Sequence, residues 1–279
     1  MGSSGTPALE AYCRMLYRTR AVAFLGLIAC SSAVKPNGAT RDEPKAAPTE
    51  STGEAFFDPT HLLAISVSMP EEEWRALRTK GRDASTLATE CKQPAAKIYP
   101  FYRGEVTIDG VALKAVDVRK KGFLGSLSVL QPSLKLRLDS NVAGQNFRGV
   151  KKLTLNNNRQ DAALMRTCLT YKVFRDAKIP APRCNFAKVT VNGAELGIYS
   201  NVEPIKKPFL RRHFGDDSGT LFEGQIADFA PTYLGNFEQK TNKTSKLDRE
   251  ALEKLAQALE TSEGNIALAV SPYLMSTNS

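Results

Sequence analysis

Between Ser133 and Val202 the chain alternates apolar and polar positions in blocks that predict its secondary structure. Leu134, Leu136 and Leu138 fall on one side of an extended segment, with Lys135 and Arg137 on the other. That is the period of a half-buried strand with a core face and a basic face. Residues 150–155 repeat the device, with Leu153 and Leu155 opposite Lys152 and Thr154. Asn156, Asn157 and Asn158 then stop the strand, because asparagine favours turns and tolerates left-handed backbone. Asp161 is a candidate N-cap for a helix reaching to about residue 176, in which Leu164, Met165, Cys168 and Leu169 recur at helical spacing. Lys172, Arg175 and Lys178 suit the negative end of that helix, and Pro180 and Pro182 end it. A strand from Phe186 then reaches the hairpin signal Asn192-Gly193 and returns through Leu196, Ile198, Ser200 and Val202.

The same pattern extends in both directions. His61 to Met69 reads as a strand, with His61 an ordinary strand residue. Pro70 and the acids Glu71, Glu72 and Glu73 open a helix that packs through Trp74 and Leu77. A looser segment from Lys80 to Lys97, containing Cys91, leads to a hairpin over Tyr102–Val118 turning at Asp109-Gly110. A further helix is expected over about 247–259. These elements predict an α+β fold, a mostly antiparallel sheet with packed helices, over residues 56–260.

The N-terminus has a different character. Arg14, Arg18 and Arg20 precede an apolar run, Ala21 to Ala29, that is too short to span a bilayer but suits a signal-peptide core. Leu27-Ile28-Ala29-Cys30 resembles the bacterial lipobox, which makes Cys30 the candidate lipidation site. Residues 1–30 are therefore expected to be a lipoprotein signal peptide, giving an exported, lipid-anchored protein of the bacterial cell envelope. Residues 31–55, mostly Pro, Ala, Thr, Ser, Gly and charge, read as a disordered tether.

Charge narrows the partners. A net charge of +9 favours anionic ones, but no basic run with interleaved aromatics points to base stacking, so no nucleic-acid partner is expected. The chain has five cysteines but no CxxC pair, and its two histidines are His61 and His213, so no metal site is expected. There is no GxSxG motif either. In an exported protein Cys168 and Cys184 could approach to form a disulfide; buried free thiols are the alternative. The basic, glycine-containing loop Lys120-Lys121-Gly122-Phe123-Leu124-Gly125-Ser126 is compatible with phosphate contact through backbone N–H groups, and equally with a plain hairpin loop.

Five segments together resemble the CotH-type atypical kinases, the spore-coat protein H family. They are Arg119-Lys120-Lys121-Gly122, Pro132 to Asp139, Lys152 to Asn158, Pro180-Ala181-Pro182-Arg183, and Val191-Asn192-Gly193 through Val202-Glu203-Pro204. The resemblance covers roughly residues 60–245. It implies a minimal kinase-like fold that transfers phosphate from ATP, with Mg²⁺, to Ser of a Ser-rich or surface or coat protein. Phosphates need cations, and Lys135, mid-strand and facing away from the leucines, is the first nucleotide-binding candidate, with Lys121 and Arg137 behind it and a plain surface charge the alternative for each. Arg166 is a further charge, and Glu203 falls where the family's two lobes join beside the adenine.

Phosphoryl transfer also requires carboxylates for the metal and for the acceptor hydroxyl. The family carries these in downstream Trp- and Asp-containing motifs that have no counterpart here. The sole tryptophan is Trp74, and residues 261–279 contain no Asp and resemble nothing in the family. The chain thus reads as a C-terminally truncated member with an incomplete C-terminal lobe, catalytically impaired. Its loop acids Asp216, Asp217 and Asp228 are the remaining candidates for metal. The competing expectation is a non-catalytic surface module that presents a basic face to an envelope or coat partner.

Overall fold

The computed structural model describes residues 51–82, 98–123, 126–224, 227–242, 247–262 and 264–273. The signal peptide, Cys30, Cys91 and tether positions 31–50 lie outside them. The described residues divide into two compact units, one of residues 51–82 and 98–215, the other of residues 216–273. The division falls inside the span 56–260.

The first unit is a closed, seven-stranded barrel in the order β1-β2-β3-β4-β5-β7-β6. Its strands are β1 (Leu62–Ser68), β2 (Tyr102–Ile108), β3 (Val111–Lys121), β4 (Ser133–Arg137), β5 (Lys152–Asn156), β6 (Cys184–Val191) and β7 (Ala194–Val202). Every neighbouring pair is antiparallel except β1 with β6, which run parallel and close the barrel from Leu62 opposite Phe186 to Val67 opposite Val191. The mixed, mostly antiparallel character agrees with the sequence reading.

Both hairpin turns form as their sequences require. Asp109-Gly110 and Asn192-Gly193 have positive φ at both central residues, the type I′ geometry that matches strand twist. The alternating leucines go where their period sends them: Leu134, Leu136, Leu138, Leu153 and Leu155 are all fully buried. They meet Leu63, Ile65, Val67, Val116, Val118, Ala187, Val189 and Tyr199 in one core.

Helix α1 (Ser51–Phe56) and helix α2 (Glu71–Thr79) belong to this unit. Trp74 and Leu77 bury the inner face of α2, as expected. α1 lies partly within the stretch read as tether, and its end is buried because Phe56 and Phe57 insert into the core edge-on to one another. Inside the barrel, the Asn185 amide donates to the Phe56 carbonyl at 2.9 Å, and Asn201 donates to Asn185 at 2.9 Å. Two buried amides thus fix where α1 attaches.

Helix α3 (Arg166–Asp176) and helix α4 (Lys207–Phe214) complete the unit. α3 starts later than expected, since residues 161–165 make a turn instead. Asp161 still serves its start, accepting from the backbone N–H of Ala163 at 3.1 Å and of Arg166 at 2.6 Å. The disulfide Cys168–Cys184 ties α3 to β6.

The helix packs on β6 and β7, as expected, but not through its apolar residues. The apolar residues Leu164, Met165 and Leu169 do not pack on the sheet but are exposed, and α3 buries no residue fully. Its sheet side instead carries Thr167, Cys168, Tyr171 and Arg175. The disulfide at Cys168 and the bond from Arg175 to the Pro182 carbonyl set that rotation.

The second unit contains the short hairpin β8 (Phe222–Gly224) and β9 (Phe237–Gln239), a 3₁₀ turn at Pro231–Asn236, helix α5 (Leu247–Glu260) and helix α6 (Ile266–Val270). Leu252, Leu255 and Ala256 bury one face of α5. Arg249 fastens the helix to the unit by donating to the carbonyls of Leu234 and Phe237.

Candidate functional site

Strand alternation puts the leucines of β4 inside the barrel, so Lys135 and Arg137 must lie on its outer face. β3 and β5 add to the same face. Arg119 sits opposite Lys135 across β3, Thr154 opposite it across β5, Asp117 and Lys152 opposite Arg137, and Lys121 opposite Ser133. Five cations, Arg119, Lys121, Lys135, Arg137 and Lys152, therefore share one patch of sheet. All but Lys152 are only partly exposed.

Local contacts hold this array in shape. The Lys121 ammonium donates to the Asn156 side-chain oxygen at 2.6 Å, reaching across β4. The guanidinium groups of Arg119 and Arg137 stack on Phe101, 5.2 and 4.1 Å from its ring centroid. Contact with one aromatic ring favours both guanidinium groups through the ring's negative faces. Asp117, a carboxylate on the same face, accepts from the Asn141 amide at 2.7 Å. Lys120 follows the opposite parity. It points inward, is buried, donates to the Arg78 carbonyl at 2.7 Å, and has its basicity lowered by burial.

The asparagine run does more than end β5. Asn157 is buried, its backbone N–H bonded to the Ser133 hydroxyl at 3.0 Å and its amide to the Gln131 carbonyl at 2.6 Å. Asn158 takes up the left-handed backbone expected of it and accepts from the Ser200 hydroxyl at 2.9 Å. Beside them is an open cleft of about 390 Å³, lined by Gln131, Asn157, Asn158, Arg159, Asp161 and Leu164 among others. Asn157 links this cleft to the basic face, since its neighbour Asn156 is the acceptor for Lys121.

The Gly122 loop closes the end of β3. Gly122 has φ +152°, and its carbonyl accepts from Arg82 and from the Tyr99 hydroxyl. A Cβ there would meet the Ser126 hydroxyl at 2.9 Å, which explains why the tight return needs glycine. Leu124 and Gly125 lie outside the described residues.

The remaining predicted residues are placed elsewhere. Arg166 is largely exposed and lies 3.5 Å from Asp161, at the rim of the cleft. Glu203 is neither at a solvent-exposed strand end nor available through its side chain. It is 5% exposed, and both oxygens are taken by Arg183 and Arg212. Burial raises the carboxyl pKa, but the hydrogen bonds from Arg212 and Arg183 and their charges outweigh it and hold the group below the usual range. His213 stands beside Arg212 and packs against Phe209 with its ring tilted; burial first, and then the Arg212 charge, lower its pKa. Asp216, Asp217 and Asp228 belong to the second unit, where the Asp216 carboxylate accepts from the Ser218 backbone and hydroxyl. Among the described residues, no cluster of three His, Cys, Asp or Glu is arranged to hold a metal ion.

Sequence reasoning placed Lys121, Lys135 and Arg137 on their strands but did not find Phe101, Asn156 or the Arg183–Glu203–Arg212 cluster. The aromatic preceding β2 was the available signal for Phe101. Nothing local marks the ion cluster, because its members come from three separate elements.

A closed β-barrel with a cation-lined outer face and an adjoining amide-lined cleft defines the class, an α+β barrel module. A family described as CotH kinase protein matches residues 118–273, more than half of the chain, and the chain belongs to that family. The match begins at β3 and takes in the basic strands, the asparagine run, α3 and the second unit as far as residue 273, so residues 261–273, read as a tail unlike the family, fall within it. Two Bacillus subtilis (strain 168) proteins are similar over part of it. Inner spore coat protein H is 29% identical over 105 residues, 37% of this chain and 28% of that protein. Inner spore coat protein H-like protein is 36% identical over 67 residues, 24% of this chain and 22% of that protein. The matched segments thus span less than a third of either relative.

Proposed function

We propose that this chain is a kinase-like, nucleotide-binding protein of the bacterial envelope or spore coat, with the outer face of β3, β4 and β5 holding the phosphates of ATP. The observation that carries the reading is Lys135. Leu134 and Leu136 are locked in the core on either side, so the lysine is aimed outward into a field of four other cations. Lys121, positioned by Asn156, and Arg137, positioned by Phe101, are its neighbours for a polyanionic ligand. ATP with Mg²⁺ supplies the transferable phosphoryl group in this chemistry. The residues on this face fit its phosphates and lack carboxylates for the metal beyond Asp117. Binding with little or no transfer to protein Ser is therefore the reading for this chain.

The test is equilibrium binding of ATP with Mg²⁺ to the full chain. Weak binding is expected, reduced in Lys135→Ala by the roughly 1–3 kcal/mol of a charge-assisted contact, about 5- to 150-fold. Radiolabelled ATP is expected to leave no label on a Ser-rich peptide. Clear incorporation would overturn the reading of a chain that binds without transfer. A folded sample that does not bind ATP leaves the second reading, a surface-binding module, which the basic face itself favours.

A further inference from the structure

Helix α3 is turned with its apolar side away from the barrel. Met165, Leu169 and Val173 recur every four residues and are 52, 54 and 55% exposed, with Phe174 and Ile179 extending the stripe. Single exposed apolar residues are ordinary on a surface, but a contiguous stripe along one helix marks a contact face. The face is rigidly presented, since the Cys168–Cys184 disulfide and the bond from Arg175 to the Pro182 carbonyl hold its opposite side to the barrel.

Charge identifies what the face fits. From Arg159 to Arg183 the chain carries Arg159, Arg166, Lys172, Arg175, Lys178 and Arg183 against only Asp161 and Asp176. Lys172 is paired with Asp176, Arg166 lies near Asp161, Arg183 is held by Glu203 and Glu54, and Arg175 faces the barrel, so the positive excess rests on Arg159 and Lys178. An isologous contact with a second copy would bring this positive patch against itself. An anionic lipid surface complements it, with cations at headgroup level and the apolar stripe at the acyl boundary, as in interfacial amphipathic helices. The N-terminal segment joins the unit at the same place: Glu54 of α1 contacts Arg183 at 3.4 Å, next to the Cys184 end of the disulfide.

We propose that the outward face of α3, with its flanking cations, is a docking site for an anionic membrane surface. It goes beyond the nucleotide reading and does not depend on it, because Lys135 lies on β4 and α3 packs on β6 and β7.

The full chain carrying Cys30→Ser, so that no acyl chain contributes, is tested with its Cys168–Cys184 disulfide formed. It is mixed with vesicles of phosphatidylglycerol and phosphatidylcholine, or of phosphatidylcholine alone, and bound protein is separated by flotation. Binding to the anionic vesicles is expected, weakened by salt and lowered roughly tenfold in Leu169→Ser/Val173→Ser. Lys172→Glu/Lys178→Glu is expected to lose the preference for the anionic lipid. The apolar pair is exposed, so its melting temperature and ATP binding are expected to match the parent, which keeps failure of docking distinct from failure of the nucleotide reading. Three results would overturn the proposal: no binding by the parent, undiminished binding by the Leu169→Ser/Val173→Ser chain, or an unchanged preference for the anionic vesicles in the Lys172→Glu/Lys178→Glu chain.

Discussion

Glu203 carries a charge in a nearly dry position because two arginines from different elements reach it, Arg183 at the start of β6 and Arg212 in α4. Removing the carboxylate leaves two half-buried arginines uncompensated, so Glu203→Gln is expected to destabilise the barrel unit by about 3 kcal/mol. The sign of its pH dependence follows from the lowered pKa. The contribution is fully present above the ordinary glutamate value of 4.5 and is lost as pH falls from there through the folded-state value. His213 acts in the same direction at higher pH. Its folded pKa lies below 6.5, so the unfolded chain binds the proton more readily as pH drops through that range. Denaturant titrations at pH 7, 5.5 and 4 should show the wild type weakening at each step, with Glu203→Gln losing the dependence only in the lowest interval. At this scale the orientation of Lys135 was legible from strand alternation alone. The burial of Lys120 and of Asn157 was not, because each depends on an acceptor far away in the chain, Arg78 and Gln131 respectively.

Helix α3 owes its place to few contacts. With none of its residues fully buried, the Cys168–Cys184 bridge is the main tether across the 16-residue separation between α3 and β6. Cys168→Ser is expected to cost about 3 kcal/mol, the value for closing a loop of that size. Amide exchange over 166–177 should lose protection more than exchange in β4 or β5, and treating the wild type with reductant should have the same effect. Uniform loss of protection across the barrel would show that the bridge holds the whole unit rather than the helix. The covered face of α3 was not legible for a physical reason: helical spacing identifies an apolar stripe but not which side of the helix is covered. Helix α4 was missed although its signals were present, with Pro208 in its first turn, Arg211, Arg212 and His213 in its last, and Gly215 in left-handed conformation just beyond. Its eight residues are too few for a repeating apolar period to stand out.

At the scale of the whole molecule, the sequence reading of export and lipid attachment rests on residues before Ser51. Metabolic labelling with palmitate is expected to mark the wild type and not Cys30→Ser, and equal labelling of both would remove Cys30 as the attachment point. The Cys168–Cys184 disulfide is consistent with an oxidising compartment. The antiparallel neighbours β2–β3 and β6–β7 were legible from their turns. The closure of the barrel was not, since alternation assigns faces to strands without saying which distant edges meet. That closure ties the earliest strand to one of the latest. β1 is complete at Ser68, but its parallel neighbour ends only at Val191. A chain emerging N-terminus first must therefore carry β1 with one bare edge through all the intervening residues, the condition in which a strand recruits foreign partners. A stretch that stops short of β6 leaves that edge open, and a stretch that starts after β1 leaves β6 open instead. The barrel is a structure that forms whole or exposes a seam.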